Sequence, residues 1–249
     1  MRDLEAVWKL ARADLVVPAA DGGNDIFLWE HSVRVAKSAQ YLSQLPEAQA
    51  HEPDSLALLA AALYHEAGWI SRLRGGEIER YEILLGSPSE SIVVESIRLM
   101  QQSLNGVIPA QSLAKAGETI RFRTAHSTEL IEGHILTEAD NLEEFGLGFL
   151  WMAIRRGICG GKGVQAVLDA WKRRTEYHFW TARLKDAFHF DASRKLADAR
   201  LRQLEALMSE MMVQHEIEDV RLLVESVRGS PLAPLAWPGE TENRNKSKG

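Results

Sequence analysis

A chain of 249 residues, 45% hydrophobic and 26% charged, has enough apolar material to bury a large core and fold unaided. Its formal charge of −6 supplies no generic basic surface for nucleic-acid phosphates, which argues against non-specific nucleic-acid binding as its task. The lone cysteine, Cys159, excludes an intramolecular disulfide framework and a thiolate zinc site, in keeping with a reducing cytoplasmic setting.

Apolar residues recur at spacings of three and four throughout, without runs of alternating β-branched residues, so the expected fold is all-α. The first pattern, 2–14, is amphipathic and carries Asp3 and Glu5, unlike a secretion signal. Asp21-Gly22-Gly23-Asn24 breaks it, and a second helix is expected over 28–45, carrying His31 and Arg34. The third, 53–68, is entered through Pro53-Asp54 and is almost uninterrupted in its apolar character from Leu56 to Trp69, except for His65-Glu66. A carboxylate beside an imidazole at the end of a segment that must be buried is unstable unless something positive satisfies both. Further helices are expected over 88–104, where Ser87 or Ser89 is the cap, and over 109–126, 130–145, 146–156, 162–187 and 191–226. The helical body therefore spans 1–228. From Gly229 the sequence GSPLAPLAWPGETENRNKSKG has the composition of a loose tail, with Leu235 and Trp237 as the apolar residues by which it would dock. No stretch approaches the roughly 18 continuous apolar residues of a membrane span, so none is expected.

Four segments carry the chemistry. They are Trp29-Glu30-His31-Ser32-Val33-Arg34-Val35-Ala36, Leu63-Tyr64-His65-Glu66-Ala67-Gly68-Trp69, Arg123-Thr124-Ala125-His126-Ser127, and Glu138-Ala139-Asp140-Asn141-Leu142 ending in Gly146. In this order they resemble the HD-domain superfamily of metal-dependent phosphohydrolases, whose pattern runs H-S-x-R-V-A, L-L-H-D-x-G, I-x-x-H-S and A-D-x-L-x-x-x-G. The resemblance covers residues 24–215. It implies one divalent ion (Mn, Mg, Co, Ni, Fe or Zn) held by His31, His65, Glu66 and Asp140, with metal-activated water attacking a small phosphorylated or nucleotide-like molecule. His65, Glu66 and His126 would then be catalytic, and His126, His134 and Arg34 would contact substrate. Two positions depart from the pattern: Glu66 replaces the family's aspartate, one methylene longer, and Trp69 stands where many members carry lysine. The resemblance favours one ion over two, because binuclear members commonly place a further histidine between Tyr64 and Arg123, where this chain has only His65, while His126 keeps two ions open.

Each residue also has a plainer reading. His31 alone would suit a helix surface, Asp140 a helix cap, and His65-Glu66 a helix end emerging into water at Gly68. Arg34 shares a helix face with His31 and suits either a phosphate contact or an ion pair. His126 and His134 could equally serve packing, and Arg72, Arg74, Arg121 and Arg123 are ordinary solvated charges unless the fold gathers them. Gly160-Gly161-Lys162-Gly163 lacks the order of a phosphate-binding loop and reads as a turn. Trp151, Trp171, Trp180 and their aromatic neighbours are spaced for packing, and His178, His189 and His215 show no partner pattern. The rival to catalysis is a degenerate HD domain that binds metal or nucleotide as a sensor or partner module; a structural helical interaction protein is the second rival.

Overall fold

The structure, a computed structural model, describes residues 2–19, 22–86, 89–125 and 130–233. His126, one of the expected site residues, lies outside them, as do Ser87, Leu235 and Trp237.

The architecture is helical, as the periodicity predicts, apart from a two-residue antiparallel pairing of β1 (Val17–Pro18) with β2 (Asn24–Asp25). Helix α1 (Arg2–Leu15) precedes this hairpin and α2 (Phe27–Leu42) follows it. The hairpin has no strand-like alternation to announce it; Gly22, at φ 82°, turns the chain back. The short α3 (Pro46–Gln49) starts at the proline that ends the preceding segment.

Helix α4 (Ser55–Tyr64) is the centre of the molecule. Every residue from Ala57 to Tyr64 is buried, so the helix is apolar all round rather than along one stripe. It packs against α1, α2, α6 (Glu90–Leu104), α7 (Ala110–Ala125) and α8 (Ile131–Glu144). Its start is fixed by Asp54, whose Oδ1 accepts the Leu56 and Ala57 amides at 3.0 Å while Oδ2 accepts the Ser112 hydroxyl at 2.8 Å. Glu132 of α8, also buried, takes the Asp54 amide at 2.7 Å and the Lys115 ammonium at 3.3 Å. Three helices are thus tied at one end of α4. Near its other end the Tyr64 hydroxyl donates to Asp14 of α1 at 2.7 Å, and burial together with that carboxylate pushes the phenol's pKa strongly upward.

After Tyr64 the chain does not end its helix in water. It turns through His65, Glu66 and Ala67 and resumes as α5 (Gly68–Arg74), so both polar residues stay inside, His65 fully and Glu66 with 4% exposure. Ser96 of α6 holds the turn: its hydroxyl accepts the Gly68 amide at 2.8 Å and donates to the His65 carbonyl at 3.2 Å. Then α6 begins at Ser89, which caps it through the Ile92 amide at 3.4 Å.

Beyond α8 come α9 (Leu147–Cys159), α10 (Gln165–Glu176), α11 (Phe179–Asp186), α12 (Asp191–His215) and α13 (Glu218–Arg228). Two expected long helices are broken. The 162–187 segment divides at His178 (φ 52°) and the 191–226 segment at Ile217 (φ 57°), both left-handed residues without a Cβ-free side chain to signal the bend. Trp171, Trp180 and Phe188 pack with Phe145 and Phe149, the role the spacing of the first three predicts, whereas Trp151 and Tyr177, expected to pack as well, stand exposed on the surface. The chain forms two compact units, Met1–Ala206 and Leu207–Gly249. In the second, α13 has no buried residue and exposes Val220, Leu223 and Val227. No described helix is long and apolar enough to cross a membrane.

Gly68 is where α5 and α6 approach most tightly: a Cβ there would lie 2.2 Å from the Ile92 carbonyl oxygen. Gly68→Ala is therefore expected to lose about 1–3 kcal/mol through overpacking against backbone. Thermal unfolding checks this, and an unchanged Tm would contradict so close a crossing.

Candidate metal centre

The site is built where α2, the end of α4 and α8 meet. His31 stands at the start of the second turn of α2, His65 directly follows α4, and Asp140 lies in the second half of α8. Their donor atoms form a near-equilateral triangle. The two Nε2 atoms are 3.2 Å apart, and Asp140 Oδ1 is 3.5 Å from each. Among the described residues these three make the cluster of histidine, cysteine and carboxylate groups able to share a metal ion. Ligands held about 2.0–2.2 Å from one cation at octahedral to tetrahedral angles sit about 3.0–3.5 Å from one another. The triangle has that size.

The hydrogen bonds behind the rings decide what the triangle can hold. His65 Nδ1 lies 2.8 Å from the Ala62 carbonyl oxygen, which only accepts, so the proton sits on Nδ1 and the neutral ring turns its Nε2 lone pair inward. His31 turns its Nδ1 edge to Glu143 Oε2 at 3.7 Å, an anion that favours the same tautomer. The His65 lone pair, the His31 Nε2 and a carboxylate oxygen then face one another. A proton on the inward nitrogen of His31 or a divalent cation with nitrogen and oxygen ligands satisfies that arrangement. Imidazoles that donate their outer N–H to a carbonyl or carboxylate are oriented for metal binding in this way.

Glu143 passes unremarked in the sequence reading, although its spacing was the clue. It follows Asp140 by three residues as Arg34 follows His31, so two facing helices bring both pairs together. Arg34 Nε donates to Glu143 Oε2 at 2.7 Å. Burial raises the Glu143 pKa, but His31 and Arg34 outweigh it and hold the carboxyl below its ordinary range. Arg34 is accordingly found in an ion pair, with 29% of its side chain exposed.

Glu66 is brought beside this triangle in sequence but its carboxylate is not among the converging atoms. Its Oε2 accepts the indole N–H of Trp69 at 2.8 Å, one turn further along. The buried carboxylate and the indole N–H therefore satisfy each other.

His134 occupies α8, six residues before Asp140, and faces elsewhere. Its ring stacks on His189 with centroids 4.5 Å apart and meets Phe122 edge-on at 4.7 Å. Glu138, one turn later, accepts the His189 and Phe190 amides at 2.5 and 2.6 Å, and Asn141 donates to the Ala187 carbonyl at 2.7 Å. One stripe of α8 thus anchors the 187–190 segment while another carries Asp140 and Glu143. Of the remaining arginines, Arg72 pairs with Glu77 at 3.0 Å and Arg74 reaches the Asp14 carbonyl at 3.4 Å.

No protein-family model matches the chain, and no curated protein is significantly similar to it. Among solved structures it is similar to the crystal structure of Bacillus subtilis YpgQ in complex with ADP, at 18% identity and a TM-score of 0.49, over 96% of this chain and 98% of that one. A likeness of that degree assigns neither an activity nor a ligand.

His31→Ala, His65→Ala and Asp140→Ala are each expected to abolish stoichiometric binding of Mn, Co or Zn, read by elemental analysis after loading and desalting. Glu143→Gln, which touches no ion, is expected to weaken it about 10–100-fold by releasing the His31 ring. Metal content equal to wild type in His65→Ala would rule the centre out.

A second expectation concerns acid. Burial, then the neighbouring His189 and His51, lowers the His134 pKa below its ordinary value of 6.5. The unfolded chain therefore takes up this proton first as pH falls. The stability held by neutral His134 is complete above about pH 6.5 and is lost as pH drops toward the lowered native value. His134→Phe should narrow the difference in Tm between about pH 7.5 and about pH 5.5; an unchanged difference would show that the His134 shift makes no contribution to stability.

Proposed function

We propose that this chain is a metal-dependent phosphohydrolase of the HD type, acting on a small phosphate ester or nucleotide-like molecule. The observation that carries the reading is the triangle of His31, His65 and Asp140, with the His65 Nε2 lone pair turned into it. His31, His65 and Asp140 hold the ion, and Glu66, whose Oε2 accepts the Trp69 indole N–H, adds a neighbouring negative charge as the fourth ligand. When bound, a divalent cation supplies Lewis acidity toward a phosphoryl oxygen and acidifies a water ligand.

The protein's own contribution is to hold the donors rigidly. The turn after α4 keeps His65 out of water, so the field around the triangle acts in a medium of low polarity. His31 and Asp140 remain partly accessible, with 13% and 22% of their side chains exposed, which leaves the triangle a face open to solvent and substrate. An open face distinguishes a catalytic site from a closed structural one. His126, in the slot that resembles the family's active-site histidine, is assigned to substrate phosphate, and the small phosphorylated substrate itself is the expected partner. The neighbourhood of Glu66 and Trp69 supports one other reading, a domain of the same type that binds metal or nucleotide without turnover.

Purified protein loaded with Mn, Mg, Co or Ni is expected to hydrolyse at least one member of a panel of phosphomonoesters and nucleotides, with kcat/KM lowered at least about 100-fold in Asp140→Ala. Stoichiometric metal with no turnover across the panel would select the sensor reading. Turnover unchanged in Asp140→Ala would refute the metal route.

A further inference from the structure

A cleft of about 480 Å³ opens between the 17–25 hairpin, the start of α2 and α9. That volume lies within the roughly 300–1,000 Å³ of small-molecule sites. Its base is a charge clamp. Arg155 forks onto Asp25 at 3.2 and 2.7 Å, stacks its guanidinium 4.4 Å over the Phe27 ring and donates to the Arg80 carbonyl at 2.9 Å. Asp25 also accepts the Phe27 amide at 3.0 Å, so the clamp fixes the first turn of α2 as well as the hairpin. Burial raises the Asp25 pKa, but the Arg155 and Phe27 hydrogen bonds and the charges of Arg155 and Arg80 bring it below the usual value, so the carboxylate stays ionised.

What the clamp leaves over defines the ligand. Arg155 neutralises Asp25, whereas Arg80 reaches Asp25 only at 3.6 Å and keeps 46% of its side chain exposed. Trp151, one helical turn before Arg155, lines the cleft with 48% of its surface in water. Glu30 and Asn24 complete the polar wall. A hydrocarbon would strand two charges here, and a polyanion would meet Glu30. A planar ring with its own hydrogen-bond donors and acceptors satisfies all four: a face on the indole, a donor to Glu30, an acceptor toward Arg80, and either to Asn24.

We propose that this cleft is a recognition subsite for a planar, amino-bearing nitrogen heterocycle of nucleobase type, stacked on Trp151 and oriented by Glu30 and Arg80. Phe27 and Glu30 precede His31 and Arg34 on one stripe of α2, so the subsite begins about one turn, or about 6 Å, from the metal-binding histidine. A nucleoside spans such a gap between its ring and its phosphate. The inference rests on the phosphohydrolase reading for why the two sites adjoin, and gives that reading its substrate class.

Calorimetric titration of the full chain with adenosine, cytidine and uridine, in chelator and without phosphate, tests the subsite apart from the chemistry. Adenosine and cytidine are expected to bind more tightly than uridine, which lacks the exocyclic amino group. Trp151→Ala, at an exposed position, should weaken adenosine about tenfold by loss of stacking, and Glu30→Gln should erase the preference over uridine. His65→Ala should lose metal but bind adenosine as wild type does. Absence of binding by all three nucleosides, or wild-type adenosine affinity in Trp151→Ala, overturns the subsite. Nucleoside binding that follows this pattern in a protein without phosphatase activity overturns the phosphohydrolase reading and leaves the subsite standing.

Discussion

Three electron-rich atoms facing one another at 3.2–3.5 Å constrain everything around them. The Ala62 carbonyl holds the His65 proton on the far nitrogen, so that ring presents its Nε2 lone pair to His31 and Asp140. The cluster therefore depends on positive charge or a proton from His31 or from a bound cation. Free energy from elsewhere must keep the donors together, and the source is the apolar helix between them. Ala57 to Tyr64 are all buried, and each large side chain among them removed from water contributes about 1.5–3 kcal/mol.

Holding donors is a matter of fixing helix ends, since a helix that slides by one residue moves its side chains by about 1.5 Å along the axis and 100° around it. The start of α4 is pinned by Asp54, Ser112 and Glu132, and the turn beyond it by Ser96. The α2 and α8 faces are registered by Arg34 and Glu143, whose bond at 2.7 Å is adjacent to the triangle. The other stripe of α8 is occupied by Glu138 and Asn141, which bind the backbone at 187–190. One helix therefore serves two purposes through residues three and four apart, and the position of Asp140 depends on contacts made on a face that carries none of the site.

Much of this was legible in the chain because it follows from periodicity. The all-α character, the buried run before His65 and a serine cap at 87 or 89 depend on local pattern. The breaks at His178 and Ile217 were not legible: both adopt left-handed backbone without glycine or proline nearby, so tertiary packing and not local preference sets the bends. Nor did the sequence reveal that the helix after Tyr64 bends instead of ending. A carbonyl cannot be recognised as a histidine's partner from residue types, and neither could the pairing of Arg34 with Glu143, since it joins residues 109 apart. Gly68 hinted at the bend, but only the closeness of the Ile92 carbonyl explains why no side chain fits there.

Glu66 and Trp69 make sense as a pair. Burying a carboxylate at 66 costs free energy unless donors meet it, and an indole at 69 would, in isolation, bury an N–H without an acceptor, at a cost of about 1–3 kcal/mol. Together each removes the other's difficulty, with Glu66 reaching along the helix to Trp69 at 2.8 Å. The bond occupies Oε2 of a carboxylate that has a second oxygen, so Glu66 can hold Trp69 and still stand beside the triangle of His31, His65 and Asp140.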